Sequence, residues 1–261
     1  MTRLPIIIAN WKTNKQLSDV YAFLEALTGH LPSRQIVQVG IAAQDIYLHE
    51  MVRYLNEYHE TVDIIAENVH WADNGSYTGE TSPAALADIG VKGSIIGHYE
   101  RRKMFKETNG TVGLKVVASL RNRLMPVIAI AEDTTRYNPN DVDMAPLSEI
   151  AISLAGVTRE QAGNIVIAYE PAWAIGAAEA PSLKEIEHAA RVIRKSLAIL
   201  FSDAIAQQIR IQYGGSVTPD NARAILGLSN IDGLLIGRAA LSAETFITMT
   251  QDAVALTGAT P

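Results

Sequence analysis

Residues 165–176 read Ile-Val-Ile-Ala-Tyr-Glu-Pro-Ala-Trp-Ala-Ile-Gly, and their chemistry centres on one carboxylate. The run Ile165–Tyr169 is apolar in the manner of a buried parallel strand, which puts Glu170 at its carboxyl end. Pro171 stops the strand, and Gly176 gives the segment after it a hinge. Between them the chain is apolar where a loop is ordinarily polar. A lone Glu after a strand is usually a solvated loop residue. An apolar loop beside it supports a different reading, a lid that keeps water from a general base.

Other strand ends carry groups that would complement such a base. Asn10-Trp11-Lys12-Thr13-Asn14 follows an apolar run, and Lys12 is either an exposed surface cation or a charge that attracts an anion and stabilises negative charge in a reaction. Gly97-His98-Tyr99-Glu100-Arg101-Arg102 sets an imidazole just ahead of a charged helix start. The plain reading is a satisfied structural histidine. The alternative is functional: a helix N-terminus would lower the imidazole pKa and keep it neutral. In Tyr213-Gly214-Gly215-Ser216-Val217 the paired glycines let backbone N–H groups approach a ligand, and Pro219 opens a helix. Amides and a helix N-terminus together can cradle a phosphate. Gly237-Arg238 ends the last apolar run.

These groups meet only if the strand ends share one face. Strand-like runs occur at Pro5–Ala9, Val37–Ala42, Val62–Ala66, Gly93–Gly97, Pro126–Ile130, Ile165–Tyr169, Ile209–Gln212 and Gly233–Ile236. Amphipathic stretches such as Val20–Leu27, Ile46–Tyr58, Val112–Leu124 and Ile186–Leu200 lie between them. Ser182 three residues before Glu185 predicts a capped helix start. Alternation of buried strand and helix implies a parallel sheet, and eight such units in 261 residues predict one α/β domain, a closed (β/α)8 barrel. An open doubly wound sheet is the competing architecture, but no G-x-G-x-x-G follows the first strand. In a barrel the chemistry gathers at the carboxyl ends of the strands, where all the residues above lie.

Composition narrows the partners. With 48% hydrophobic and 19% charged residues the chain can bury a sizeable core, and its formal charge of −6 argues against nucleic acid. One or two cations and a few amides still suffice for a phosphate. The absence of cysteine removes thiolate chemistry. No apolar run reaches a spanning length, and the first residues are too short an apolar stretch for a signal peptide, so the cytoplasm is expected and no membrane. The connection from Glu67 to Pro83 is long enough to be a functional loop or an interface. His70 within it reads as a metal ligand or as packing; with no second ligand at i+3 or i+4, packing is favoured.

The motifs Y-E-P-A-W-A-I-G, N-W-K-T-N, G-H-Y-E-R-R, Y-G-G-S-V and I-G-R stand in the order and at the strand ends seen in triosephosphate isomerases, and the resemblance covers the whole chain. It implies a TIM barrel and an isomerase that interconverts D-glyceraldehyde 3-phosphate and dihydroxyacetone phosphate through an enediolate. It also implies a place in glycolysis and gluconeogenesis. Glu170 would be the base, His98 and Asn10 would polarise the carbonyl, and Lys12 would supply fixed charge. Triosephosphate isomerase is itself the standard example of a neutral histidine used this way. Gly176, Ser216, Gly237 and Arg238 would hold the phosphate, Glu100 would pair with Lys12, and no metal or organic cofactor would be needed. The loop carrying Thr78-Gly79-Glu80 would insert into a second subunit, giving a homodimer whose interface involves Arg101.

Several positions depart from the family pattern. Tyr99 replaces a small Ser, Glu67 a Gln, and Arg238 a Gly. In the family the tyrosine matching Tyr213 latches the closed lid through the amide of the residue that aligns with Pro181, and a proline has no N–H to offer. A second similarity, through H-W-A-D-x-G, E-T-N-x-T-V-G-L-K and I-G-R, is to L-erythrulose-1-phosphate isomerases, which would make a four-carbon sugar phosphate the substrate. A catalytically silent phosphate-binding barrel is the remaining alternative; the complete set Asn10, Lys12, His98 and Glu170 argues against it.

Overall fold

The computed structural model describes residues 3–131, 145–171 and 180–258. Eight strands run β1 (Ile6–Asn10), β2 (Gln38–Ala43), β3 (Val62–Ala66), β4 (Gly93–Ile96), β5 (Met125–Ala131), β6 (Val166–Glu170), β7 (Arg210–Tyr213) and β8 (Gly233–Ile236). They pair in sequence order, all parallel, and β8 returns to β1 to close the barrel. The expected closed barrel is therefore found, and the open doubly wound sheet is excluded. Each strand lies within about one residue of the apolar run that announced it. The reason is direct: strands covered on both faces read as continuous hydrophobic runs.

Alternate residues face opposite sides. Ile6, Ile8, Ala42, Ile65, Ile95, Val127, Val166 and Ala168 form one cluster in the barrel interior. Their neighbours Ile7, Ala9, Ile41, Ile64, Ile96, Ile128, Ile167 and Ile211 join the larger layer beneath the helices. Asn10 continues the inward parity of Ile6 and Ile8, and Glu170 that of Val166 and Ala168. Both therefore come to the rim pointing into the mouth.

Helices cover the outside at Leu17–Leu27, Asp45–Glu57, Asn109–Arg121, Leu183–Leu200 and Ala243–Thr257, with shorter ones between. The helix expected at Val112–Leu124 lies three residues earlier, because Thr108 caps it by accepting from the Thr111 N–H. Ser182 caps the helix Leu183–Leu200 and Glu185 reciprocates, as its spacing required.

The opposite end of the barrel is closed by polar side chains. Gln38 donates to Asp63 at 2.6 Å, Arg34 and Arg210 join the same cluster, and Gln212 donates to the carbonyls of Ile6 and Leu234. Arg194 binds the carbonyls of Ala206 and Ile209 and the Asp232 carboxylate at 2.8 Å. Strength at this end and chemistry at the other is the usual division of such barrels.

Candidate active site

The β4 end is built around a left-handed turn. Gly97 has φ +74, and a Cβ there would fall 2.8 Å from Val112 and 2.9 Å from Arg102. Arg102 fastens this turn, donating to the Gly97 carbonyl at 2.6 Å, the Ala129 carbonyl at 3.2 Å and Asn109 at 2.6 Å, with Glu149 at 2.9 Å. The sequence reading gave Arg102 no function; its signal was an Arg just after the His-bearing turn. The turn delivers His98 as the cap of the short helix Tyr99–Phe105, with Nδ1 accepting the Glu100 N–H at 3.2 Å.

Because Nδ1 accepts, the contacts assign the imidazole proton to Nε2. Nε2 lies 3.0 Å from Oε1 of Glu170. The second Glu170 oxygen accepts the Tyr99 N–H at 3.1 Å. Both residues are buried, Glu170 at 3% and His98 at 7% exposure. The base candidate and the electrophile candidate are thus a hydrogen-bonded pair across the mouth from β6 to β4.

That pairing corrects one expectation. Burial is the largest single influence on His98 and lowers its pKa, but the charge and hydrogen bond of Glu170, with help from Glu100, outweigh it. The imidazole is raised above 6.5 instead of lowered by the helix end. The Glu100 amide on Nδ1 also opposes a second proton there, since that contact would have to break.

Lys12 sits across the mouth in a left-handed conformation, φ +54. Its Nζ donates to Glu100 at 2.6 Å, and both side chains keep 38% exposure, so the ammonium still faces solvent. Asn10 is buried at the end of β1, and its Oδ1 has no hydrogen-bond partner among the described residues. An unpaired buried amide oxygen at the mouth leaves Asn10 a free polar end for a ligand.

The β7 end supplies the anion cradle. Gly214 donates its N–H to Tyr169 at 2.9 Å, and Val217 to Gly215 at 2.9 Å. The N–H groups of Gly215 and Ser216 between them have no partner among the described residues. Tyr213 is fully buried under this turn: a Cβ on Gly215 would lie 2.1 Å from the Tyr213 hydroxyl oxygen. That hydroxyl has no partner either, and burial pushes it up to about 12. Ser216 is exposed, and Thr218 with Asn221 caps the helix Pro219–Leu226 that follows. After β8, Gly237 leads into a turn of 3-10 helix beginning at Arg238, whose exposed guanidinium has no ion pair among the described residues. A Cβ at Gly237 would lie 3.9 Å from Lys12 Cε, so the β8 end borders the lysine.

The structure thus brings Asn10, Lys12, His98, Glu100, Glu170, Tyr213, Ser216, Gly237 and Arg238 to one rim. Gly176 and the expected lid lie outside the described residues. A buried carboxylate facing an N–H donor, with an ammonium and free amides nearby, can move a proton on carbon while holding an anion. A sequence model described as triosephosphate isomerase matches residues 5–253.

The chain belongs to the triosephosphate isomerase family. Among curated relatives, the triosephosphate isomerase of Lactiplantibacillus plantarum is 39% identical over 245 residues, covering 94% of this chain and 96% of its own. That of Pediococcus pentosaceus is likewise 39% identical over 245 residues, at 94% and 97% coverage. The Streptococcus gordonii enzyme of the same name is 36% identical over 249 residues, at 95% and 98%. Against the triosephosphate isomerase pattern, Glu67 gains a context that the sequence did not provide. It stands half-buried beside the Lys12 amide, and burial pushes its carboxyl up to about 7.

The long loop of this triosephosphate isomerase relative packs partly on itself. His70 lies between the rings of Trp71 and Tyr77, with centroids at 4.0 and 4.3 Å, and Arg121 and Asn122 hold Asp73.

Proposed function

We propose that this chain isomerises D-glyceraldehyde 3-phosphate and dihydroxyacetone phosphate as a single-domain barrel enzyme. The observation that carries the reading is the Glu170–His98 contact at the mouth of a barrel whose β7 end offers free amides. A substrate bound there comes between the two side chains. Glu170 takes a proton from the carbon beside the carbonyl. Negative charge grows on the carbonyl oxygen, where the His98 Nε2–H, Asn10 and Lys12 meet it. Glu170 then returns the proton to the neighbouring carbon while the hydroxyl proton moves between the two oxygens.

Separation from Glu170 also resets His98. Without the carboxylate, burial lowers the imidazole pKa, so the histidine meets the substrate as a neutral donor. Ser216, Gly237 and Arg238, with Gly176 from the lid, bind the phosphate; Glu100 orients Lys12. No metal or organic cofactor is required, since hydrogen bonds and one cation stabilise the enediolate.

The same reading makes the protein a cytoplasmic homodimer. Loops and helices after β1 to β4 expose Leu17, Ile46, Tyr77, Met104 and Phe105, an apolar collection that a partner would cover. On the same side Glu67 Oε1 is buried without a hydrogen-bond partner, and Arg101 Nε and Glu107 Oε2 face each other at 3.6 Å without a hydrogen bond. No helix among the described residues is long and apolar enough to cross a membrane.

A coupled assay on both the triose phosphates and L-erythrulose 1-phosphate tests the activity. Glu170→Gln should cut kcat by about 10²–10⁴-fold while sulfate binding persists, as expected for loss of a general base. Retention of more than roughly a tenth of kcat would move the base elsewhere. Clear preference for the four-carbon substrate would replace the triose assignment, with Arg238 as the residue that favours it.

A further inference from the structure

Two peptide groups flank His98, and Arg102 grips both. Its guanidinium Nε donates to the Gly97 carbonyl at 2.6 Å, in the peptide before His98. Its backbone N–H donates to the His98 carbonyl at 3.1 Å, in the peptide after it, beside the Arg101 N–H at 2.8 Å. Peptide groups are planar, so holding the two planes holds the φ and ψ between them, −51 and 142 at His98. The second plane has another end. Its N–H is that of Tyr99, which donates to Glu170 Oε2 at 3.1 Å. One residue thus orients both the backbone that carries the electrophile and the amide on which the base rests.

Arg102 is itself held from outside the turn. Its Nη1 donates to Asn109 at 2.6 Å, at the start of the helix Asn109–Arg121. Its Nη2 donates to the Ala129 carbonyl of β5 at 3.2 Å and lies 2.9 Å from the buried carboxylate of Glu149, on the helix Ala145–Ser153. Gly97 makes room for this strut, since a Cβ there would fall 2.9 Å from Nη2. A planar fork with donors in several directions is what the place requires, and lysine, a point donor, cannot reproduce it. These contacts go to backbone and to groups behind the turn, so any influence of Arg102 on the reaction passes through His98 and Tyr99.

We propose that Arg102 is the positioning residue for both halves of the acid–base pair. It sets where the His98 Nε2–H and the Tyr99 N–H point, and so how well the electrophile and Glu170 meet a substrate. The inference rests on the isomerase reading of the site. The tolerance is small, because a displacement of about 1 Å at reacting groups costs on the order of 10²-fold in rate.

Arg102→Lys is the first test, because it keeps a cation beside Glu149 and loses the fork. It should lower kcat about 10–10²-fold while KM and sulfate affinity change little, since the amides at the β7 end are untouched. A double-mutant comparison separates positioning from general loosening. Added to His98→Gln, where the electrophile is already gone, Arg102→Lys should cost much less than in the wild-type chain. Proton NMR of the His98 ring gives a readout without turnover. With the Glu170 contact loosened, the carboxylate raises the imidazole less, and the midpoint in Arg102→Lys should fall below that of wild type. Asn109→Ala removes one outer anchor and leaves the Glu149 pair intact. It should show the same pattern to a smaller degree, and it carries the test if the lysine variant does not fold. Wild-type kcat in the folded variant, a defect confined to KM, an equal loss in the two backgrounds, or an unshifted His98 midpoint would each overturn the proposal. If the wild-type chain turns over no sugar phosphate, the isomerase reading fails, and the midpoint alone decides whether Arg102 positions His98.

Discussion

Nε2 of His98 lies 3.0 Å from Oε1 of Glu170, so the site's acid–base pair is closed on itself before any substrate enters. The carboxylate raises the imidazole pKa above 6.5 against the pull of burial. By linkage, the stability this contributes is complete below 6.5 and is lost as pH rises through the higher folded value. In Glu170→Gln the charge is gone and burial prevails, so the His98 midpoint should fall. A proton NMR titration of the His98 ring in both proteins measures it. A midpoint that stays in place or rises would show that something other than Glu170 holds the proton.

His98→Gln should lower kcat with little change in KM, because the Nε2–H matters most as charge develops on the substrate oxygen. Steady-state kinetics in both directions decide it. A defect confined to KM would make His98 a ground-state binder instead.

The sequence disclosed the site in proportion to how local its causes are. Asn10 and Glu170 were legible because each ends a buried run whose alternation fixes its direction into the mouth. Gly97, His98 and the capped helix starts were legible from turn chemistry a few residues long. The Lys12 backbone conformation, the pKa direction of His98 and the burial of Glu67 were not. Each depends on a contact between strands far apart in the chain: Lys12 with Glu67 and Glu100, His98 with Glu170. Arg102 was overlooked for a related reason, since its partners include the Ala129 carbonyl of β5 and Glu149 beyond it.

Glu67 also bears on stability. Its folded pKa of about 7 stands above the ordinary 4.5, so between those values the native state holds a proton the unfolded chain has lost. Stability must then fall as pH rises through that window, and above it the full penalty remains, on the order of 3 kcal/mol. Glu67→Gln removes the ionisation. Its melting temperature should match wild type at about pH 4 and exceed it most at about pH 8, following the same linkage. Thermal melts across this range check it, and an advantage independent of pH would trace to packing, not to charge.

The last prediction concerns the latch. By the family resemblance the tyrosine matching Tyr213 would hold the closed lid through a backbone amide, and an ungapped alignment puts Pro181, which has no N–H, at that amide. The Tyr213 hydroxyl has no partner among the described residues, although it is buried under the Gly215 turn. Removing an unpartnered buried hydroxyl costs no hydrogen bond, so Tyr213→Phe should leave both kcat/KM and the melting temperature near wild type. Pro181→Ala restores the missing N–H. In that background the latch can form, and a further Tyr213→Phe should cost about two- to tenfold in kcat/KM, the worth of one hydrogen bond at ~0.5–1.5 kcal/mol. Lid closure limits turnover in many enzymes, and this family's lid is itself a standard case. The four proteins form a double-mutant cycle whose coupling should be absent with proline and present with alanine. A large loss from Tyr213→Phe in the wild-type chain would mean that the hydroxyl already has a lid partner, and that Pro181 did not abolish the latch.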